Sequence, residues 1–132
     1  MTEQLQRPPL EFTLRMDGEP KVIKMTYGLF NEIMNVVPSP EEIGELLVTN
    51  AGLRDYVIRR MLTGSKRVTT EEDMVDPFDV DIDITELDDL VTWVGDHVLY
   101  FFMTAAQKTV KLGEKYQETL TQLAQSKTGA AN

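Results

Sequence analysis

The sequence predicts an α+β domain, mainly α-helical, with an N-terminal β-hairpin followed by several helices and a long C-terminal helix. Three observations carry that prediction. Residues 10–17 alternate apolar and polar and run into the turn pair Asp17-Gly18. Helix-start signals follow at Thr26 and at Ser39-Pro40-Glu41-Glu42. An apolar stripe at helical spacing then runs over 86–112.

Taken in order, residues 1–9 are polar, end in Pro8-Pro9, and read as a flexible tail. Leu10, Phe12, Leu14 and Met16 alternate with Glu11, Thr13, Arg15 and Asp17, the period of a half-buried strand. Asp17-Gly18 suits a tight hairpin turn, and Glu19-Pro20 extends the break. Residues 21–25 form the second strand, with the pair Val22-Ile23 blurring its register. A two-stranded hairpin is not stable alone and must pack on something. Thr26 caps the first helix, whose apolar face collects Tyr27, Leu29, Phe30, Ile33, Met34 and Val37. Pro38 ends it. Ser39-Pro40-Glu41-Glu42 places a cap, a proline and two acids where a helix begins. Ile43, Leu46 and Leu47 form one apolar face there, and Leu53, Tyr56, Val57, Met61 and Leu62 another. Thr49 or Asn50 separates the two, and Gly64 stops the second.

Thr69-Thr70-Glu71-Glu72 resembles a capping box with few apolar residues behind it. From Asp76 on, Phe78, Val80, Ile82 and Ile84 alternate with Asp79, Asp81 and Asp83, as in an extended segment with one acidic face. Thr85 is the expected cap of the last helix. Leu87, Leu90, Val91, Val94, Val98, Phe101, Phe102, Ala105, Leu112 and Tyr116 track one face of it. At 27 residues, 86–112 would measure roughly 40 Å. Gly113 weakens the continuation. The expected organisation is a tail over 1–9, one globular domain over 10–124 and a frayed tail over 125–132.

Composition narrows the function. The 132 residues suit one domain, and the 42% apolar content supports a core. A net charge of −9 disfavours binding to phosphate backbones or anionic membranes and favours basic partners. With no cysteine, disulfides, thiolate nucleophiles and Cys-type zinc sites are excluded. The N-terminus has no apolar signal core and no stretch approaches a membrane span, so a cytosolic protein is expected. Charge is unevenly placed. Residues 54–67 hold five bases and one acid, whereas 71–89 hold ten acids and no base.

No constellation of reactive groups emerges. Asp79, Asp81 and Asp83 have the spacing that opens an EF-hand loop, but Ile84 stands where the turn needs glycine and Leu90 where it needs a bidentate acid. An acidic surface strip is the preferred reading. Paired carboxylates for glycoside chemistry would need a cleft that a domain this small has little room for. His97 is the single histidine, Trp93 stands one turn before it, and no second ligand is at helical spacing, so it reads as a surface or helix-edge residue. No serine lies in a nucleophile-elbow pattern and no glycine loop suits phosphate. No catalytic residue, cofactor or metal is therefore expected. Arg54, Arg59, Arg60, Lys66 and Arg67 form a basic patch without interleaved aromatics, better suited to intramolecular or protein contacts than to nucleic acid. Trp93, Tyr100, Phe101 and Phe102 form an aromatic stripe that either widens the core face or anchors a partner.

The hairpin leading into "MTYGLFNEIMNVV", the middle segments "EEIGELL" and "LRDYVIRRMLTG", the acidic link "TTEEDMVDPFDVDID" and the closing "ITELDDLVTWVGDHVLYFFMTAAQ" together resemble the tail assembly chaperones of long-tailed bacteriophages. The resemblance covers about residues 10–112 and rests on order, length and texture. It implies a non-catalytic late protein of the host bacterium's cytoplasm, often made in short and frameshift-extended forms. Such a protein binds the tape measure protein, keeps that long helical chain soluble and recruits tail tube subunits. Neither nucleic acid nor membrane is an expected partner, and a homo-oligomer is left open. The expected partner contacts are Trp93, Tyr100, Phe101 and Phe102, with Asp79, Asp81 and Asp83 as an acidic docking strip. The rival readings are a small structural tail or head-completion protein of the virion, and an acidic regulatory protein that binds a basic host factor.

Overall fold

The computed structural model describes residues 6–65 and 70–130, with the backbone alone for Glu71 and 126–130. Two strands, β1 (Glu11–Met16) and β2 (Glu19–Lys24), form an antiparallel hairpin. Among the described residues four α-helices follow: α1 (Tyr27–Val36), α2 (Ile43–Thr49), α3 (Ala51–Thr63) and α4 (Ile84–Ala130). The architecture is the mainly helical α+β arrangement that the sequence predicts, with the long helix last.

The hairpin turns on two residues with positive φ, Asp17 at 55° and Gly18 at 80°. That pair of left-handed residues matches the right-handed twist of the strands. Pairing sets Phe12 opposite Ile23, Leu14 opposite Lys21 and Met16 opposite Glu19. Pro20, expected to extend the break, lies within β2 opposite Arg15. The blurred register of Val22-Ile23 resolves with Ile23 buried beside Leu14 and Val22 facing solvent. The turn is tied to the acidic link by two hydrogen bonds: Asp17 N–H donates to the Asp81 carbonyl at 2.8 Å, and Asp81 N–H donates to Asp17 Oδ1 at 2.7 Å.

Helix ends follow capping chemistry. Thr26 Oγ1 accepts from Leu29 N–H at the start of α1, and Asn50 Oδ1 accepts from Leu53 N–H at the start of α3. Gly64 closes α3 at φ 81° and returns its N–H to the carbonyls of Arg60 and Met61. The Ser39-Pro40-Glu41-Glu42 signal starts a single 3-10 turn, Pro40–Glu42, that feeds α2, and Ser39 offers no side-chain cap. The Thr69 end of the proposed capping box lies outside the described residues, whereas Glu71–Asp73 form a 3-10 turn.

The chain divides into two compact units, 1–100 and 101–132. The core belongs to the first. Leu14 and Ile23 of the hairpin, Leu29 and Ile33 of α1, Ile43 and Leu47 of α2, Val57, Met61 and Leu62 of α3, and Leu90, Val94 and Val98 of α4 are buried together. Each such side chain contributes about 1.5–3 kcal/mol on leaving water. Arg60 is buried too, with its charge held by Glu32 and its Nη1 donating to the Gly64 carbonyl. Four residues of the first unit expected on apolar faces are instead exposed: Leu10, Tyr27, Phe78 and Ile84. Tyr27 is 84% exposed because it begins α1 on the side away from Leu29 and Ile33. Phe78 is 90% exposed, because Pro77–Asp79 form a 3-10 turn capped by Asp76 and interrupt the expected alternation. Val80 and Ile82 still pack against the core.

Helix α4 departs most from expectation. Its start is capped by Asp83, whose Oδ1 accepts from both the N–H and the hydroxyl of Thr85. Thr85 is thus donor to the cap that it was expected to provide. Those two hydrogen bonds, the backbone one first, hold the Asp83 carboxyl below its usual range. The helix runs through Gly113 and past 125, because one glycine costs only about 1 kcal/mol inside a long helix. Among the described residues no helix is long and apolar enough to cross a membrane.

Candidate protein-binding surfaces

Over 84–100, α4 has two apolar faces. Leu90, Val94 and Val98 point into the core and are fully buried. Ile84, Leu87, Val91, Gly95 and Leu99, spaced by three and four residues, line a groove of about 610 Å³. Ile43, Gly44, Leu47 and Val48 of α2 form the facing wall, and Ile58 of α3 contributes from a third side. The groove follows α4 for about four turns, roughly 22 Å. Two of its lining residues are glycines. A Cβ at Gly95 would meet Leu47 Cδ1 at 3.4 Å, and one at Gly44 would stand in open space. Three charged residues border it. Arg54 Nη1 donates to the Leu47 and Val48 carbonyls, at 3.3 and 2.9 Å, and so serves the end of α2. Asp88 and Asp96 are exposed and form no ion pair among the described residues. Sequence reading missed the groove because it assigned Leu87 and Val91 to the same face as Leu90 and Val94. The available signal was α4 being apolar on more than one side.

In the second unit the described residues, 101–130, belong to α4. Phe101, Leu112, Tyr116, Leu120 and Leu123 return at steps of roughly 3.6 residues and are all half or more exposed. Lys108, Lys111, Lys115, Glu114 and Glu118 occupy the remaining arc. The sequence expected Phe101, Leu112 and Tyr116 to share the core face of Leu90 and Val94; instead they are exposed.

The predicted aromatic stripe divides. Trp93 is 5% exposed: its ring lies 5.4 Å from that of Phe12 and edge-on to His97 at 5.0 Å, and Nε1 donates to the Pro9 carbonyl at 2.7 Å. Trp93 is therefore a core residue, not an exposed anchor. His97, expected at the surface or a helix edge, is 8% exposed and sets Nε2 2.8 Å from the same oxygen. A carbonyl only accepts, so that Nε2 carries the proton. The two rings hold Pro9, which the sequence placed in a flexible tail. Tyr100 is half-buried with the Arg7 guanidinium 5.9 Å over its ring, Phe101 is exposed and Phe102 half-buried.

Asp79, Asp81 and Asp83 are exposed at the surface. Among the described residues no three or more potential metal-ligand side chains converge. The basic patch is spread into separate contacts: Arg59 pairs with Asp55 at 2.8 Å and Asp76 at 3.6 Å, Arg60 is buried, Arg54 serves α2, and Lys66 and Arg67 lie outside the described residues. These surfaces can bind apolar or basic protein segments. Compared with known proteins, the chain matches no family model, no curated protein and no solved structure.

Proposed function

We propose that the protein is a non-catalytic tail assembly chaperone of a long-tailed bacteriophage, working in the host cytoplasm on the tape measure protein and tail tube subunits. One observation carries the reading: over 101–125, Leu112, Tyr116, Leu120 and Leu123 of α4 are each more than half exposed along one helical face. An apolar helical stripe of this kind suits another long amphipathic helix, which is what a tape measure offers along its length. The net charge of −9 would keep such a complex soluble. Phe101 and Phe102 would contact the tape measure with this stripe, and Asp79, Asp81 and Asp83, with Tyr100 as a separate aromatic contact on the first unit, would engage basic groups.

Co-expression with the tape measure protein of its own phage tests this. The parent chain should hold the tape measure in the soluble fraction and co-purify with it. A chain carrying Phe101→Asp, Tyr116→Asp and Leu120→Asp should fold and lose the complex. Equal capture by both would refute the stripe as the binding surface. Mass spectrometry of purified particles should find the protein absent, and its presence would favour a structural virion subunit.

A further inference from the structure

We propose that the groove between α2 and α4 is a docking site for a basic amphipathic helix on a partner protein. The inference is independent of the tape-measure reading, because it concerns only residues 43–99. The shape points to a helix: an open apolar trough about four turns of α4 long, lined by side chains at three- and four-residue steps, has the dimensions of a helix-in-groove contact. Gly44 and Gly95 are among its lining residues, and a side chain on Gly44 would occupy open space there.

Charge selects the occupant. Asp88 and Asp96 border the trough without a cationic partner among the described residues, while its one guanidinium, Arg54, is occupied by the carbonyls at the end of α2. Residues 1–100 carry nine bases against twenty acids, a net of −11. That field attracts a lysine- or arginine-flanked helix and opposes the first unit of a second copy, which is equally acidic; residues 101–132 of a second copy, with four lysines against two glutamates, are the competing occupant that the test must separate.

The test uses the full chain and two labelled synthetic helices, with leucines at i, i+3, i+4 and i+7 and either lysines or glutamates flanking them, read by fluorescence anisotropy. The lysine helix should bind, and the glutamate helix should bind about tenfold more weakly at low salt. The double substitution Asp88→Lys with Asp96→Lys should reverse that preference. Gly44→Leu should abolish binding without loss of fold, because the new side chain extends into open space in a helix that favours leucine over glycine. Unaltered circular dichroism and melting of Gly44→Leu establish that the loss is local. Equal binding of the two helices, or full binding by Gly44→Leu, overturns the proposal. Self-association in light scattering that Gly44→Leu abolishes also overturns it, by assigning the groove to a second copy. Tape-measure capture is a separate readout: if Gly44→Leu retains it while losing the lysine helix, the groove proposal and the stripe proposal both stand.

Discussion

The two halves of α4 carry similar apolar residues at similar spacing and have opposite fates. Over 84–100, Leu90, Val94 and Val98 are sealed by the hairpin, α1, α2 and α3. Over 101–125, Leu112, Tyr116, Leu120 and Leu123 meet solvent. The helical period reports that a face is apolar; what covers it depends on how much chain is available to pack there. The hairpin, α1, α2 and α3 bury one face of the first half, while the apolar residues over 101–125 remain half or more exposed.

The largest expected contrast comes from placing a charge on each half. Val94→Asp buries an unpaired carboxylate in the core and should cost more than about 3 kcal/mol, enough to unfold much of the first unit in a denaturant titration. Leu120→Asp should change stability by less than about 0.5 kcal/mol. Similar losses for the two would erase the distinction between the halves. Next in size is Trp93→Phe. It keeps an aromatic ring against Phe12 and removes the donor to Pro9, which should cost about 1 kcal/mol by chemical denaturation.

A smaller effect of opposite sign belongs to the second half. Gly113→Ala meets no atom within 4 Å and should stabilise the helix by about 0.5–1 kcal/mol, seen as a gain in far-ultraviolet helical signal with the core's unfolding unchanged. The smallest is at the cap. Asp83 has a folded pKa below its ordinary value of 3.8, so its contribution to stability is present above that pH and is lost as pH falls through the lower folded value. Asp83→Ala should therefore melt slightly earlier than the parent at neutral pH, and the difference should shrink below pH 3.8. A constant difference across that range would remove Asp83 as a charged cap.

Much of the fold was legible because its signals are local. Asp17-Gly18, Thr26, Asn50 and Gly64 mark turns and ends through their own backbone and side-chain chemistry, and each acts where the sequence placed it. Asp83 and Thr85 exchanged roles because either residue type can accept from a helix N-terminus and only the geometry chooses. The surfaces were less legible because they depend on distant segments. The indole of Trp93 reaches the Pro9 carbonyl from 84 residues away, which turned an apparent anchor into a core residue. The groove is lined from different helices, with Gly44 on α2 and Gly95 on α4, and neither glycine has a local signature of that role.

Hydrogen exchange of the full chain, alone and bound to the tape measure protein, tests the central claim most directly. The account predicts that amides over 101–125 gain protection on binding, while those around Leu90, Val94 and Val98 are protected in both states. Unchanged exchange over 101–125 in a complex that is demonstrably formed would contradict it.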